Sequence, residues 1–273
     1  MAFIKIIRPF NCIFVFLSVF FGAYYLTEVN NFLPVFFAAC SAFLIAAAGY
    51  VINDFFDIPI DIVNRPERIL PSRKITPQAA YIYAVMLFIL GITASYFTQN
   101  LYCVLIAILN SILLFSYARY FKVSLLLGNL IVSLSTASIF LYGGLSNNNL
   151  KNSMIIFVFA FLGTFLREIV KDGEDIRGDL KQKAKTLAVR IGRKKIAIVA
   201  ILPVLLIIIY TLYLFYYDSI SMVTLSAFIA GVALPLIFLI YYLYDKSIKA
   251  RFTRASMLIK IDMLILLIIL WVD

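Results

Sequence analysis

The sequence predicts an all-α membrane protein, a bundle of nine transmembrane helices enclosing a cavity. Three observations predict it. The 273 residues are 64% hydrophobic with a mean hydropathy of +1.01, which excludes an ordinary soluble globule. Nine apolar runs are long enough to cross a bilayer, about 17 to 25 residues each. The basic residues collect in alternate connections, as positive-inside topology requires.

The runs lie at about 10–27, 32–53, 77–98, 101–118, 123–143, 152–172, 196–217, 221–244 and 255–272. The first starts after Arg8-Pro9 and runs too long for the apolar core of a signal peptide, so no cleavable signal is expected. Of 24 Lys and Arg residues, 22 fall on one face when the spans alternate; Lys151 lies opposite and Lys260 sits early in the ninth span. The amino terminus is therefore expected on the cytoplasmic side of the cell membrane. The net charge of +10 is accounted for by these short loops, so no nucleic-acid partner is expected. Cys12, Cys40 and Cys103 all fall in apolar runs without metal or redox spacing and read as packing residues.

The sixth span needs separate justification. Its apolar stretch Ser153–Leu166 is too short to cross, so the helix must include Arg167, Glu168 and Lys171. Charge at that depth needs a wet, protein-lined cavity or a local network with Asp172.

Asp54, Asp57 and Asp61 end the second span, directly after Asn53. Asp172, Asp175 and Asp179 repeat their spacing 118 residues later. Six of the fourteen acids are in these two clusters. Spacings of three and seven share one helical face, so each cluster repels itself unless cations neutralise it. Pro59 interrupts the first, which puts Asp54 and Asp57 at a helix end and Asp61 at the start of a loop or new helix. Oxygen ligands without histidine, of which the chain has none, suit Mg²⁺, Mn²⁺ or Ca²⁺. Bases follow each cluster: Arg65 and Arg68 after the first, Lys181, Lys183 and Lys185 after the second. Metals and cations together are the means of holding a diphosphate. A solvated helix cap is the bland alternative for each cluster. A cation transporter or a non-catalytic lipid-binding scaffold are the alternatives for the chain.

On these residues the chain resembles the UbiA family of intramembrane prenyltransferases, over nearly its whole length. The resemblance is carried by Asn53-Asp54-x-x-Asp57-x-x-x-Asp61 and Asp172-x-x-Asp175-x-x-x-Asp179 on two long cytoplasmic loops, about 54–76 and 172–195, of one domain spanning 1–273. It implies a polyprenyl diphosphate donor, Mg²⁺ as two ions held by the six aspartates, and an acceptor embedded among membrane lipids. Arg8-Pro9-Phe10-Asn11 is similar to the family's R-P-x-N opening, placing Arg8 and Asn11 near the polar end of the cavity. Tyr117 and Lys122 are similar to its Y-x-x-x-x-K element, with the lysine on diphosphate and the tyrosine facing the reacting carbon. Asn129 and Lys171 join Asn53, Arg65 and Arg68 as substrate-binding candidates.

The stretch Asn64–Thr76 resembles the family's archaeal lipid branch, departing by Arg73 where glycine is usual and Thr76 where serine is usual. That branch implies transfer of a geranylgeranyl group to the free hydroxyl of geranylgeranylglyceryl phosphate. The acceptor's own phosphate would need a further cationic pocket, for which Arg8, Lys74, Arg119, Arg177 and Lys185 are candidates. An aromatic acid acceptor such as 4-hydroxybenzoate remains the alternative.

Overall fold

A computed structural model describes residues 1–28, 31–181, 185–245 and 248–272, with backbone only at 177–179 and 181. Every regular element among the described residues is helical: α1 (Ala2–Ile6), α2 (Pro9–Tyr24), α3 (Phe32–Phe56), α4 (Ile58–Asn64), α5 (Pro77–Tyr96), α6 (Leu101–Ser116), α7 (Leu127–Ser146), α8 (Leu150–Lys181), α9 (Leu187–Val199), α10 (Ile201–Tyr216), α11 (Met222–Phe228), α12 (Leu234–Asp245) and α13 (Lys249–Val272). Two π-helical turns, Tyr117–Phe121 and Ile229–Ala233, continue α6 and join α11 to α12. Among the described residues eight helical stretches are long and apolar enough to cross a membrane, and α2 is a shorter apolar helix of 16 residues. The sequence places a ninth span there, and contacts with the α7–α8 connection end it early. The protein is thus a multi-pass membrane protein.

Packing divides the chain into two compact units, Met1–Lys122 with Ser138–Phe157, and Val123–Ala137 with Val158–Asp273. In the first, α3 is the hub and packs on α2, α5 and α6. Ala38, Ala39, Ala42, Ala47 and Ala48 are buried along it, and small side chains let neighbouring backbones approach where lipid supplies no hydrophobic drive. Ser41 Oγ donates 2.7 Å to the Gly91 carbonyl of α5, and Tyr142 OH donates 2.8 Å to Ser41 Oγ. Helix α2 meets the end of α7 at Gly22 and Gly143. A Cβ on Gly143 would collide with the Val19 carbonyl, and one on Gly22 with the Phe140 backbone.

Helix α2 stops at Tyr24, where the Ala23 carbonyl and those of the residues that follow the helix are satisfied by side chains from elsewhere. Asn147 Nδ2 donates to the Ala23 and Glu28 carbonyls, Asn149 Nδ2 to Ala23 and Tyr25, and Asn152 Nδ2 to Leu26. A helix end in an apolar setting leaves orphan carbonyls at a cost, and this asparagine-rich connection removes it.

In the second unit α8 and α13 run antiparallel. Gly163 lies against Met263 and Gly173 against the ring of Phe252. Helix α9 bends at Gly192, whose φ of 78° suits only glycine, and Arg193 Nε then donates 2.7 Å to the Gly173 carbonyl. At 32 residues, α8 is about 48 Å long, well beyond a hydrocarbon thickness of about 30 Å. It includes Arg167, Glu168 and Lys171, as the short apolar stretch requires. It also carries Asp172 to Asp179 as helix, where a loop was expected, because nothing between Leu150 and Lys181 breaks it: the segment has no proline.

Candidate active site

The first acid cluster is built by a broken helix. Helix α3 ends at Phe56, Asp57 serves as its C-cap and as the N-cap of α4, and Pro59 sits in the first turn of α4, where its missing N–H costs nothing. Asp54 therefore lies in the last turn of α3, Asp57 at the joint and Asp61 inside α4, with Asp57 and Asp61 buried.

Each carboxylate meets a cation. Arg8 Nη2 is 2.6 Å from Asp54 Oδ1. Arg68 Nη1 lies 2.7 Å from Asp61 Oδ2 and 3.6 Å from Asp54 Oδ1, bridging the two. Lys122 Nζ is 2.6 and 2.5 Å from the two oxygens of Asp57, and Asn53 Nδ2 donates 2.9 Å to Asp57 Oδ2. Arg8 takes a left-handed backbone, φ 53°, as the N-cap of α2. Its guanidinium stands 5.0 Å over the Tyr50 ring. Sequence reasoning missed Tyr50, although its place four residues before Asp54 puts both on one face of α3.

Tyr117 opens the π turn after α6 and its carbonyl accepts 3.0 Å from the Lys122 N–H. That turn carries Lys122 to Asp57. Asn11 and Arg65 are exposed, and no side-chain partner is described for either. The structure thus brings the side chains of Arg8, Asn53, Arg68 and Lys122 onto the first cluster, whereas Arg65 meets it only through its N–H, which donates 2.8 Å to the Asp61 carbonyl.

In the second unit Asn129 Nδ2 donates 2.8 Å to Asp172 Oδ2. Asp175 follows on the same face of α8 and is exposed. The side chain of Asp179 lies outside the described residues, as do those of Arg177, Lys181 and Lys183. Glu168 is buried and pairs with Arg167 Nη1 at 2.5 Å, with Lys171 Nζ 3.8 Å from its other oxygen. Sequence reasoning also passed over Asp262, 8% exposed and about 20 Å along α13 from its start at 1.5 Å per residue.

Among the described residues no three acids converge as a preformed metal cage. The donor set nonetheless fits Mg²⁺, which keeps waters and binds through one or two carboxylates plus substrate phosphates. Oxygen ligands already holding exchangeable cations are suited to that task.

The family model described as the UbiA prenyltransferase family matches residues 13–262. The chain belongs to the UbiA prenyltransferase family. Digeranylgeranylglyceryl phosphate synthase of Methanococcus maripaludis strain C5 is 36% identical over 204 residues, 73% of this chain and 72% of that relative. The same-named protein of Methanoregula boonei is 40% identical over 201 residues, covering 73% and 71%. A solved structure of a digeranylgeranylglyceryl phosphate synthase in membranes superposes with a TM-score of 0.86 at 32% identity, over 99% of this chain and 96% of that one. A UbiA homologue from Archaeoglobus fulgidus, solved with GPP and Mg²⁺, has a TM-score of 0.69 at 13% identity over 99% of each chain, a likeness of fold. This UbiA protein is a prenyltransferase, and its all-helical architecture is the UbiA fold.

Proposed function

We propose that this chain, acting as one prenyltransferase domain, transfers a geranylgeranyl group from geranylgeranyl diphosphate to the free hydroxyl of geranylgeranylglyceryl phosphate, with two Mg²⁺ ions. The reaction forms the second ether bond of archaeal membrane lipids. The observation that carries the reading is the pairing of Asp54, Asp57 and Asp61 with Arg8, Arg68 and Lys122. It is supported by the identity to named synthases over most of the chain.

When bound, Mg²⁺ would neutralise the diphosphate and stabilise the charge that develops as it leaves. The aspartates of the two motifs would supply oxygens to hold it. Arg8, Arg68 and Lys122, which pair with the first motif's carboxylates, would turn towards phosphate. Their charge-assisted hydrogen bonds go to the leaving group, where they strengthen as the allylic C–O bond breaks. Asn53 and Asn129 orient Asp57 and Asp172. The Tyr117 ring faces the reacting carbon, where an aromatic face stabilises an allylic cation, and apolar surroundings exclude water as a competing acceptor. The acceptor hydroxyl attacks and its proton passes to a carboxylate or the departing diphosphate. The amino terminus and both motifs face the cytoplasm, with the active site in the cell membrane.

The test is product formation by the purified protein with Mg²⁺, geranylgeranyl diphosphate and either geranylgeranylglyceryl phosphate or 4-hydroxybenzoate, with and without EDTA. The expected result is an ether product from the glyceryl phosphate alone, lost with EDTA and in Asp54→Asn and Asp175→Asn. Turnover of only the aromatic acid overturns the acceptor and keeps the chemistry.

A further inference from the structure

The second unit carries charges that the diphosphate chemistry does not use. Arg167 and Lys171 stand one turn apart on α8, and Lys260 stands on α13. The two helices are registered by Gly163 against Met263 and Gly173 against Phe252. Ten residues along α8 thus run against eleven along α13, which sets Lys260 within about 2 Å of the level of Arg167. Lys260 is within electrostatic reach of both Arg167 and Lys171, and of the carboxylates of Glu168 and Glu174.

Lys260 therefore faces two cations and two carboxylates, and one of those acids, Glu168, is already paired. Glu168 is buried against Arg167 Nη1, with Lys171 3.8 Å from its second oxygen. Arg167 Nε is buried with no hydrogen-bond partner among the described residues. Lys260 has no carboxylate within ion-pair distance among them. It lies eleven residues into α13, about 16 Å from the helix start, where an uncompensated ammonium is costly. Placing a third cation beside two others adds repulsion to that cost. An arriving anion removes both costs and satisfies the orphaned Nε–H.

We propose that Arg167, Lys171 and Lys260 form an anion site that takes the phosphate monoester of a lipid, which is the acceptor under the function proposed above. A monoester carries up to two negative charges and three acceptor oxygens, against one charge on the phosphodiester of a bulk phospholipid. The guanidinium Nε–H and the two ammonium groups offer donors for three oxygens. Glu168 positions Arg167 rather than touching the ligand. The site is built from α8 and α13 alone and needs no metal, which separates it from the aspartate motifs.

The experiment is binding of dodecyl phosphate, with EDTA present so that metal-dependent phosphate binding is silent. It is measured on the full chain in phosphatidylcholine nanodiscs for wild type, Lys260→Met and Lys260→Arg. Lys260 is exposed, so neither substitution removes packing; a thermal melt of each variant checks folding. The expected result is a loss of affinity of about tenfold or more in Lys260→Met, the effect of one charge-assisted bond of about 1.5 kcal/mol, with recovery in Lys260→Arg. Equal affinity in wild type and Lys260→Met overturns the site. So does displacement of dodecyl phosphate by phosphatidylglycerol at equal concentration, which would make it a general headgroup contact. Turnover separates the two proposals. Lys260-dependent dodecyl phosphate binding in a protein that uses only 4-hydroxybenzoate keeps the anion site and rejects the acceptor. Turnover of geranylgeranylglyceryl phosphate with an unchanged acceptor KM in Lys260→Met does the reverse.

Discussion

Lys122 places its ammonium 2.6 and 2.5 Å from the two carboxylate oxygens of Asp57, a residue 65 positions earlier in the chain. Under the proposed function the contact is an exchange position as much as an ion pair, because the same oxygens would also hold a divalent cation.

Lys122→Met should therefore move two affinities in opposite directions. Without the ammonium, Asp57 is free to bind Mg²⁺, and metal affinity in the absence of donor is expected to rise. Diphosphate affinity in the presence of Mg²⁺ is expected to fall by about tenfold or more, the effect of losing one charge-assisted bond of about 1.5 kcal/mol. Calorimetric titration of each ligand checks the signs; a fall in both would show that Lys122 merely supports the fold.

Arg68 bridges Asp61 and Asp54 through one Nη nitrogen. A lysine keeps the charge, but it lacks the second Nη and the Nε that leave the guanidinium free to offer phosphate further donors while Nη1 holds the two carboxylates. Arg68→Lys is expected to retain a part of the turnover and Arg68→Met very little. Steady-state rates at saturating donor distinguish this from a purely electrostatic role, in which lysine would be equivalent.

Gly143 approaches the Val19 carbonyl so closely that a Cβ has nowhere to go, and backbone atoms cannot rotate aside. Gly143→Ala should lower stability by about 1–3 kcal/mol, the range for overpacking, seen as a reduced thermal midpoint in detergent. Donor KM should stay unchanged in the protein that remains folded.

Arg73 has φ 56° at the end of a turn in which its N–H donates to Leu70 O and the Lys74 N–H to Ile69 O. This is the hydrogen-bond pattern of a Schellman cap, whose left-handed position favours glycine. Arg73→Gly is expected to stabilise the protein by about 0.5–1 kcal/mol, raising the melting midpoint. A lower midpoint would show that the arginine side chain contributes more than its backbone costs.

Much of this was legible in the chain. The apolar runs, the paired aspartate spacings and the inclusion of Arg167 to Lys171 in a helix all follow from hydropathy and residue type. The break at Pro59 was readable too, because a proline acts on its own turn. The short α2 was not, since its end depends on asparagines more than 120 residues later. Nor was the continuation of α8 through the second motif, whose spacing fits one helical face but which the resemblance placed on a loop; no proline stops the helix there.

The sequence by itself determined that this is a membrane-spanning helical protein with two oxygen-rich motifs. Hydropathy and charge spacing are local quantities, summed over a turn or a span. Only the tertiary structure decided which cation each acid of the first motif holds: Arg8 for Asp54, Arg68 for Asp61, Lys122 for Asp57. It also decided that Lys260 stands near the level of Arg167. Arg68 and Asp61 are only 7 positions apart, but the other three pairings join residues 46, 65 and 93 positions apart, and the packing of one helix on another sets them, which no single segment encodes.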